Sequence, residues 1–379
     1  MEDRGWKVAF CIITTFLVSS CSQPERPAEE IRIGVYASLT GTTATFGQST
    51  QKGVEMAVAE TNSSGGVLGK QLRVFIEDDQ GKPEEAQTVV TRLINRDRVI
   101  AVIGETASSR SLAAAPICQQ SGIPMVTPSS TNPKVTQVGD FIFRVCFIDS
   151  FQGAVMAKFA AKTLHASRVA ILRDIKNEYS VGLADVFIEH FRTFGGSIAG
   201  DVSYSEGDTD FSAQLTALKS SNPEAIFLPG YYTEVGLIAI QARKLGIPVP
   251  LFGGDGWESP KLLEIGGTAL NGCYYSNHYS RDDPAPEIRN FVKGYSARYN
   301  EAPDAVGALS YDAAKILINA IRKAGSAQPS AIRNELAQTK EFAGVTGSIT
   351  IDSNRNAVKP AVVLRIQDGK LQYVETVAP

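Results

Sequence analysis

Short β-branched runs alternate with helical patterns along most of this chain, and that alternation limits the fold more than any other feature. The runs Ile31 to Ser38, Leu72 to Asp78, Val99 to Ile103, Val169 to Arg173, Ala225 to Leu228 and Leu251 to Gly253 read as strands. Between them, Gly47 to Asn62, Pro83 to Asp97, Ser108 to Gln120, Val181 to Phe194, Phe211 to Ser220 and Tyr232 to Leu245 carry apolar residues at three- and four-residue intervals and read as helices. A strand, a covering helix and a parallel strand form a right-handed unit, and two series of such units imply an α/β chain of two doubly wound lobes.

The first series closes near Val145, in Phe141-Ile142-Phe143-Arg144-Val145, and the second near Tyr275. Two more helices, Pro286 to Tyr299 and Ala305 to Ala324, precede β-rich segments at Gly347 to Ile351, Ala361 to Gln367 and Leu371 to Val377. The chain therefore returns to the first lobe before finishing in the second, which makes three hinge crossings. The expected division is 31–146 plus 277–352 for lobe 1 and 147–276 plus 353–379 for lobe 2. Ligands of open α/β sheets bind at the carboxyl ends of strands, so two such lobes face one another across a cleft.

Arg4 and Lys7 precede the apolar stretch Val8 to Val18, too short to span a bilayer but of the size of a signal-peptide core. It runs into Val18-Ser19-Ser20-Cys21, small residues before a cysteine, which resembles the lipobox of bacterial lipoproteins. Residues 1–20 are then a signal peptide, Cys21 is the lipidated anchor, and 21–30, rich in Ser, Pro, Glu and Gln, are a solvated tether. Cys11 leaves with the signal, and of Cys118, Cys146 and Cys273 at least one is left unpaired; three buried apolar thiols are expected, with a disulfide between two of them or a metal as the alternatives.

Lys and Arg number 37 against 40 Asp and Glu, with no run of five like charges, so a nucleic-acid partner is not expected. His165, His190 and His278 are the only histidines, and none has ligand spacing to another. No nucleophile elbow, phosphate loop or dinucleotide fingerprint follows a strand, so neither enzyme chemistry, a cofactor nor a metal is expected.

The residues Ile33-Gly34-Val35-Tyr36-Ala37-Ser38-Leu39-Thr40-Gly41, Phe46-Gly47 and Thr61 to Gly69, followed by Glu77-Asp78-Asp79, Val102-Ile103-Gly104, Val126 to Thr131 and Gly207 to Phe211, closely resemble one family. They resemble the leucine/isoleucine/valine-binding proteins of ABC importers, and the resemblance extends from Ile31 to Val377. It implies a type I periplasmic binding protein: two Rossmann-like lobes, three hinge crossings, and closure around a ligand. It also implies a monomer outside the inner membrane that serves ABC permease subunits, with a ligand-sensing receptor as the rival role.

A zwitterion entering a closed cleft loses hydration at both charges, so the site must supply donors at one end and acceptors at the other. At the donor end, Ser108 opens a helix and alone reads as an N-cap; by family position it holds the ligand α-carboxylate, with Ser129 and Thr131 as partners. At the acceptor end, Asp255, an Asx-turn candidate by itself, matches the carboxylate that pairs with the α-ammonium. Tyr179 and Tyr231 match aromatics that close over the ligand, and Phe46 one that walls the side-chain pocket or else plugs a loop. Glu105 is expected in solvent; turned inward, it would favour a polar or cationic side chain. Trp257 adds bulk near Asp255, whereas Val306 leaves room where relatives carry phenylalanine. The expected ligand is a branched-chain aliphatic amino acid, with another amino acid, an aromatic acid, an amide or urea as alternatives.

Overall fold

The computed structural model describes residues 1–2 and 30–379, so the signal, Cys21 and most of the tether lie outside the described residues. The first lobe runs β1 (Ile31–Ala37), α1 (Ala44–Ser63), β2 (Leu72–Asp78), α2 (Pro83–Asn95), β3 (Ala101–Ile103), α3 (Ser108–Gln120), β4 (Met125–Thr127), α4 (Lys134–Gln137) and β5 (Ile142–Arg144). The second runs α5 (Asp149–Lys162), β6 (Arg168–Asp174), α6 (Glu178–Thr193), β7 (Ser197–Tyr204), α7 (Ser212–Ser220), β8 (Ala225–Leu228), α8 (Tyr232–Lys244), β9 (Leu251–Gly253), α9 (Pro260–Gly266) and β10 (Cys273–Asn277). The chain then forms α10 (Pro286–Tyr299), α11 (Ala305–Ala324), α12 (Pro329–Ala337), β11 (Phe342–Gly344), β12 (Gly347–Ile351), β13 (Ala357–Val358), β14 (Ala361–Gln367) and β15 (Lys370–Val377).

The first sheet is parallel, in the order β2-β1-β3-β4-β5. In the second, β7-β6-β8-β9-β10 repeat that order, and β14 and β15 add antiparallel strands beyond β10. Strands covered on both faces by helices read as unbroken apolar runs, and Ala101-Val102-Ile103 and Ala225 to Leu228 are wholly buried. Each sheet reverses direction beside its first strand, which opens a crevice at the carboxyl end, and the two crevices oppose each other.

Helix α11 seals the lower face of the first lobe. Its N-cap Asp304 accepts from the Gly307 N–H at 2.7 Å, and Gly325 ends it in a left-handed conformation. Residues 353–358, expected with lobe 2, fold instead on the first lobe: β13 pairs with β12, and Asn356 Oδ1 accepts from the Thr136 hydroxyl at 2.9 Å. The third crossing therefore falls between Val358 and Ala361.

Cys118, Cys146 and Cys273 are free and buried, and burial pushes the first two thiols up to about 12. Among the described residues no helix is long and apolar enough to cross a membrane.

Candidate functional site

Between the crevices lies a small pocket, lined from the first lobe by Phe46, Thr106, Ser129 and Val306, and from the second by Tyr179, Tyr231, Asp255 and Gly256. Five of the seven residues expected in the ligand site therefore line one pocket, and Ser108 and Thr131 are buried beside it.

The donor side follows from how α3 begins. Ala107, not Ser108, is the N-cap residue and makes no side-chain cap, so the N-cap reading of Ser108 does not hold. Ser108 occupies the first helical position, and the first-turn N–H groups have no acceptor within the helix. The Ser108 hydroxyl accepts from the Asn132 N–H at 3.2 Å, which ties the helix start to the loop after β4. Within that loop, Ser130 Oγ lies 2.7 Å from Ser111 Oγ, and the Thr127 hydroxyl donates to the Glu105 carbonyl at 2.7 Å. Behind it, the fully buried Arg144 donates to the carbonyls of Ser130 and Asn132, the latter at 2.8 Å. Thr131 is buried, with its hydroxyl towards the Asp149 carboxylate.

Glu105 is not in solvent. It is 1% exposed, and its carboxylate accepts from the Ser38 hydroxyl at 2.7 Å and from the Ser38 and Ala107 N–H groups. Its charge is spent on the loop after β1 and on the approach to α3, and it does not line the pocket. Trp257 is also absent from the pocket: its indole N–H donates to the Leu228 carbonyl at 2.9 Å, and its ring stacks on Tyr275 inside the second lobe.

The acceptor side is built around Asp255. Its N–H donates to Gln152 Oε1 at 2.8 Å, and Oδ2 lies 2.9 Å from His278 Nε2. Oδ1 is buried and unpartnered, so the carboxylate is not engaged in an Asx turn. Gln152 also accepts from the Ser276 hydroxyl at 2.7 Å and donates to Asp149 Oδ1 at 3.2 Å. Burial, reinforced by the neighbouring Asp255 charge, pushes Asp149 up to about 7. Burial lowers His278 against the pull of Asp255, so the imidazole is neutral near pH 7 and its Nε2–H donates to the carboxylate.

The aromatic walls pack across the cleft. Tyr179 and Tyr231 stack with centroids 5.4 Å apart, and the Tyr179 oxygen accepts from the Gly256 N–H at 3.0 Å. Phe46 meets Tyr231 and Tyr232 edge-on at 5.6 and 5.0 Å, so one ring both walls the pocket and plugs the opposite lobe. Gly47 permits this placement, because a β-carbon there would lie 2.0 Å from the Ser38 carbonyl. Burial lifts both tyrosine hydroxyls well above their ordinary range, so they stay neutral hydrogen-bonding groups.

Sequence reasoning passed over Asp149, Gln152, Arg144 and His278. Arg144 had a signal, as a cation inside the otherwise apolar run Phe141 to Val145; the other three are joined only by the fold.

The family model for periplasmic binding proteins matches residues 30–370. The chain belongs to the periplasmic binding protein family. Leu/Ile/Val-binding protein homolog 3 of Brucella melitensis is 30% identical over 350 residues, covering 91% of this chain and 94% of that protein. Among solved structures, the leucine-binding protein LivK of Thermotoga maritima is 41% identical with a TM-score of 0.89, covering 92% of this chain and 99% of that one. The branched-chain amino acid transporter substrate-binding protein LivJ of Streptococcus pneumoniae, solved with isoleucine, is 34% identical with a TM-score of 0.88, covering 93% and 100%. As a periplasmic binding protein, the chain is an extracytoplasmic solute-binding protein of the type I fold.

Proposed function

We propose that this periplasmic binding protein captures a free amino acid, best a branched-chain aliphatic one, and delivers it to the permease subunits of an ABC importer. The observation that carries the reading is the polarity of the pocket. Thr106 and Ser129, beside the start of α3 whose first-turn N–H groups have no acceptor within the helix, stand on one side, and an unpartnered oxygen of Asp255 on the other. The first suits a carboxylate, the second an ammonium. Ser108, Ser129 and Thr131 hold the carboxylate, Asp255 with Thr131 holds the ammonium, and Phe46, Tyr179, Tyr231 and Val306 enclose an apolar side chain. The names of LivK, LivJ and the Brucella homologue support the same ligand class.

In this reading the protein is a monomer held at the outer face of the cell membrane, or beyond it, by lipid on Cys21. A thermal-shift panel tests the ligand. Binding to the folded state alone adds about 2.7 kcal/mol at a hundredfold excess over Kd, which moves Tm by several degrees in a chain of this size. Leucine, isoleucine or valine should give the largest shift. A larger shift from benzoate, an amide or urea, with none from any amino acid, would overturn the amino-acid assignment.

A further inference from the structure

Helix α3 carries a second function two residues past Ser108. Arg110 is 2% exposed, held within the first lobe beside Asp79 and Glu105, and its Nη2 reaches across the cleft mouth to Glu206 Oε1 at 2.7 Å. The same oxygen accepts from the first-lobe Thr42 hydroxyl at 3.1 Å. Glu206 follows β7, and the next residue anchors that loop to its own lobe, because the Gly207 N–H donates to Glu234 Oε1 at 3.0 Å. The opening around the pair, lined by Thr42, Lys82, Lys176 and Asn177 among others, lies apart from the ligand pocket.

We propose that Arg110 and Glu206 form a closure latch that sets how tightly the cleft retains its ligand without touching it. The inference rests on the reading of this cleft as a closing binding site. Burial opposes the charge on Arg110, but Glu105, Glu206 and Asp79 more than offset it, so the guanidinium remains charged. When the lobes part, Glu206 returns to water, while Arg110 remains beside its own lobe's carboxylates. The pair with Glu206 therefore adds stability only to the closed state, and a contact made in one state alone shifts the balance towards that state. Among the described residues one other ion pair joins the lobes, Lys134 with Glu178, and side-chain exposures of 65% and 47% leave it screened. The buried Arg110 is the member of the two that matters. A neighbouring bond reinforces the geometry: Ser109 Oγ accepts from the Glu178 N–H at 3.0 Å.

Calorimetric titration and stopped-flow dissociation with isoleucine test the latch. Glu206→Gln should weaken affinity about tenfold through faster dissociation, as expected for loss of one charge-assisted hydrogen bond. Its circular dichroism should stay that of wild type. Arg110→Met should weaken binding at least as much, and the double variant should bind no more weakly than Arg110→Met alone. Glu206→Gln affinity within twofold of wild type overturns the latch. If the wild type binds no isoleucine, the ligand reading fails separately, and small-angle scattering of the ligand-free proteins decides: a larger radius of gyration in Glu206→Gln supports the latch, and superimposable curves overturn it.

Discussion

His278 Nε2 lies 2.9 Å from Asp255 Oδ2, and the same imidazole stacks on Phe147 with ring centroids 3.8 Å apart. Phe147 belongs to the first crossing between the lobes and His278 to the second, so the Asp255 carboxylate is held from the hinge.

His278→Phe keeps a ring for Phe147 and removes the donor. Calorimetry should show affinity weakened by about 1–3 kcal/mol, the usual cost of leaving one buried acceptor less satisfied. Affinity equal to wild type would mean that Asp255 is oriented by Gln152 and its backbone alone.

Ligand-free stability should fall as pH rises from 5 to 8. Burial is the leading cause that pushes Asp149 up to about 7 and Asp174 and Asp304 up to about 6. A carboxyl raised in the folded state adds stability while protonated, and that stability is lost as pH passes the folded value. Lys359, pushed down to about 8 by burial, acts above this window, and His278, lowered by burial, opposes the decline only in its lower part. Thermal melts should show a declining Tm, less steep in Asp149→Asn. A Tm that rises over this range contradicts the assignment.

A β-carbon at Gly256 would lie 2.7 Å from the Gly230 carbonyl and 2.9 Å from Tyr231 Cδ1. Gly256→Ala should therefore splay the stacked tyrosines, costing about 1–3 kcal/mol of stability and a larger share of affinity. Tm and Kd measured together separate the two effects.

Attachment rests on the run Val18-Ser19-Ser20-Cys21. Labelled fatty acid should enter the wild type and not Cys21→Ala. Equal labelling of both would remove Cys21 as the anchor.

Elements whose apolar pattern belongs to a single period were legible: α3, α10, α11, β2, β8 and β9 begin and end where the sequence places them. β7 was not, because Ser197 to Tyr204 is a largely exposed edge strand with Gly200 and Asp201 at its centre, which leaves no continuous apolar face. The return of residues 353–358 to the first lobe depends on the distant Thr136, which local pattern does not reveal. The site was legible beyond strand ends: the pocket-lining Tyr231 and Asp255 follow glycines after β8 and β9, and Phe46 and Tyr179 lie in the first turns of the helices after β1 and β6. Glu105 shows the limit: a carboxylate beside a helix start looks solvated until the fold brings Ser38 against it. Asp149, Gln152 and His278 become a unit only through hinge contacts.

The central claim is that the pocket recognises an ammonium through Asp255. Calorimetric titration of Asp255→Ala with the best amino-acid ligand, with circular dichroism confirming the fold, measures it directly. Loss of the charge-assisted pair should cost on the order of 3–5 kcal/mol, about a hundredfold or more in Kd. Ser108→Ala should cost about 1–3 kcal/mol, since the helix-start N–H groups remain, and Tyr179→Phe should be mildest. Asp255→Ala binding within threefold of wild type would contradict the account and place recognition of the ligand elsewhere.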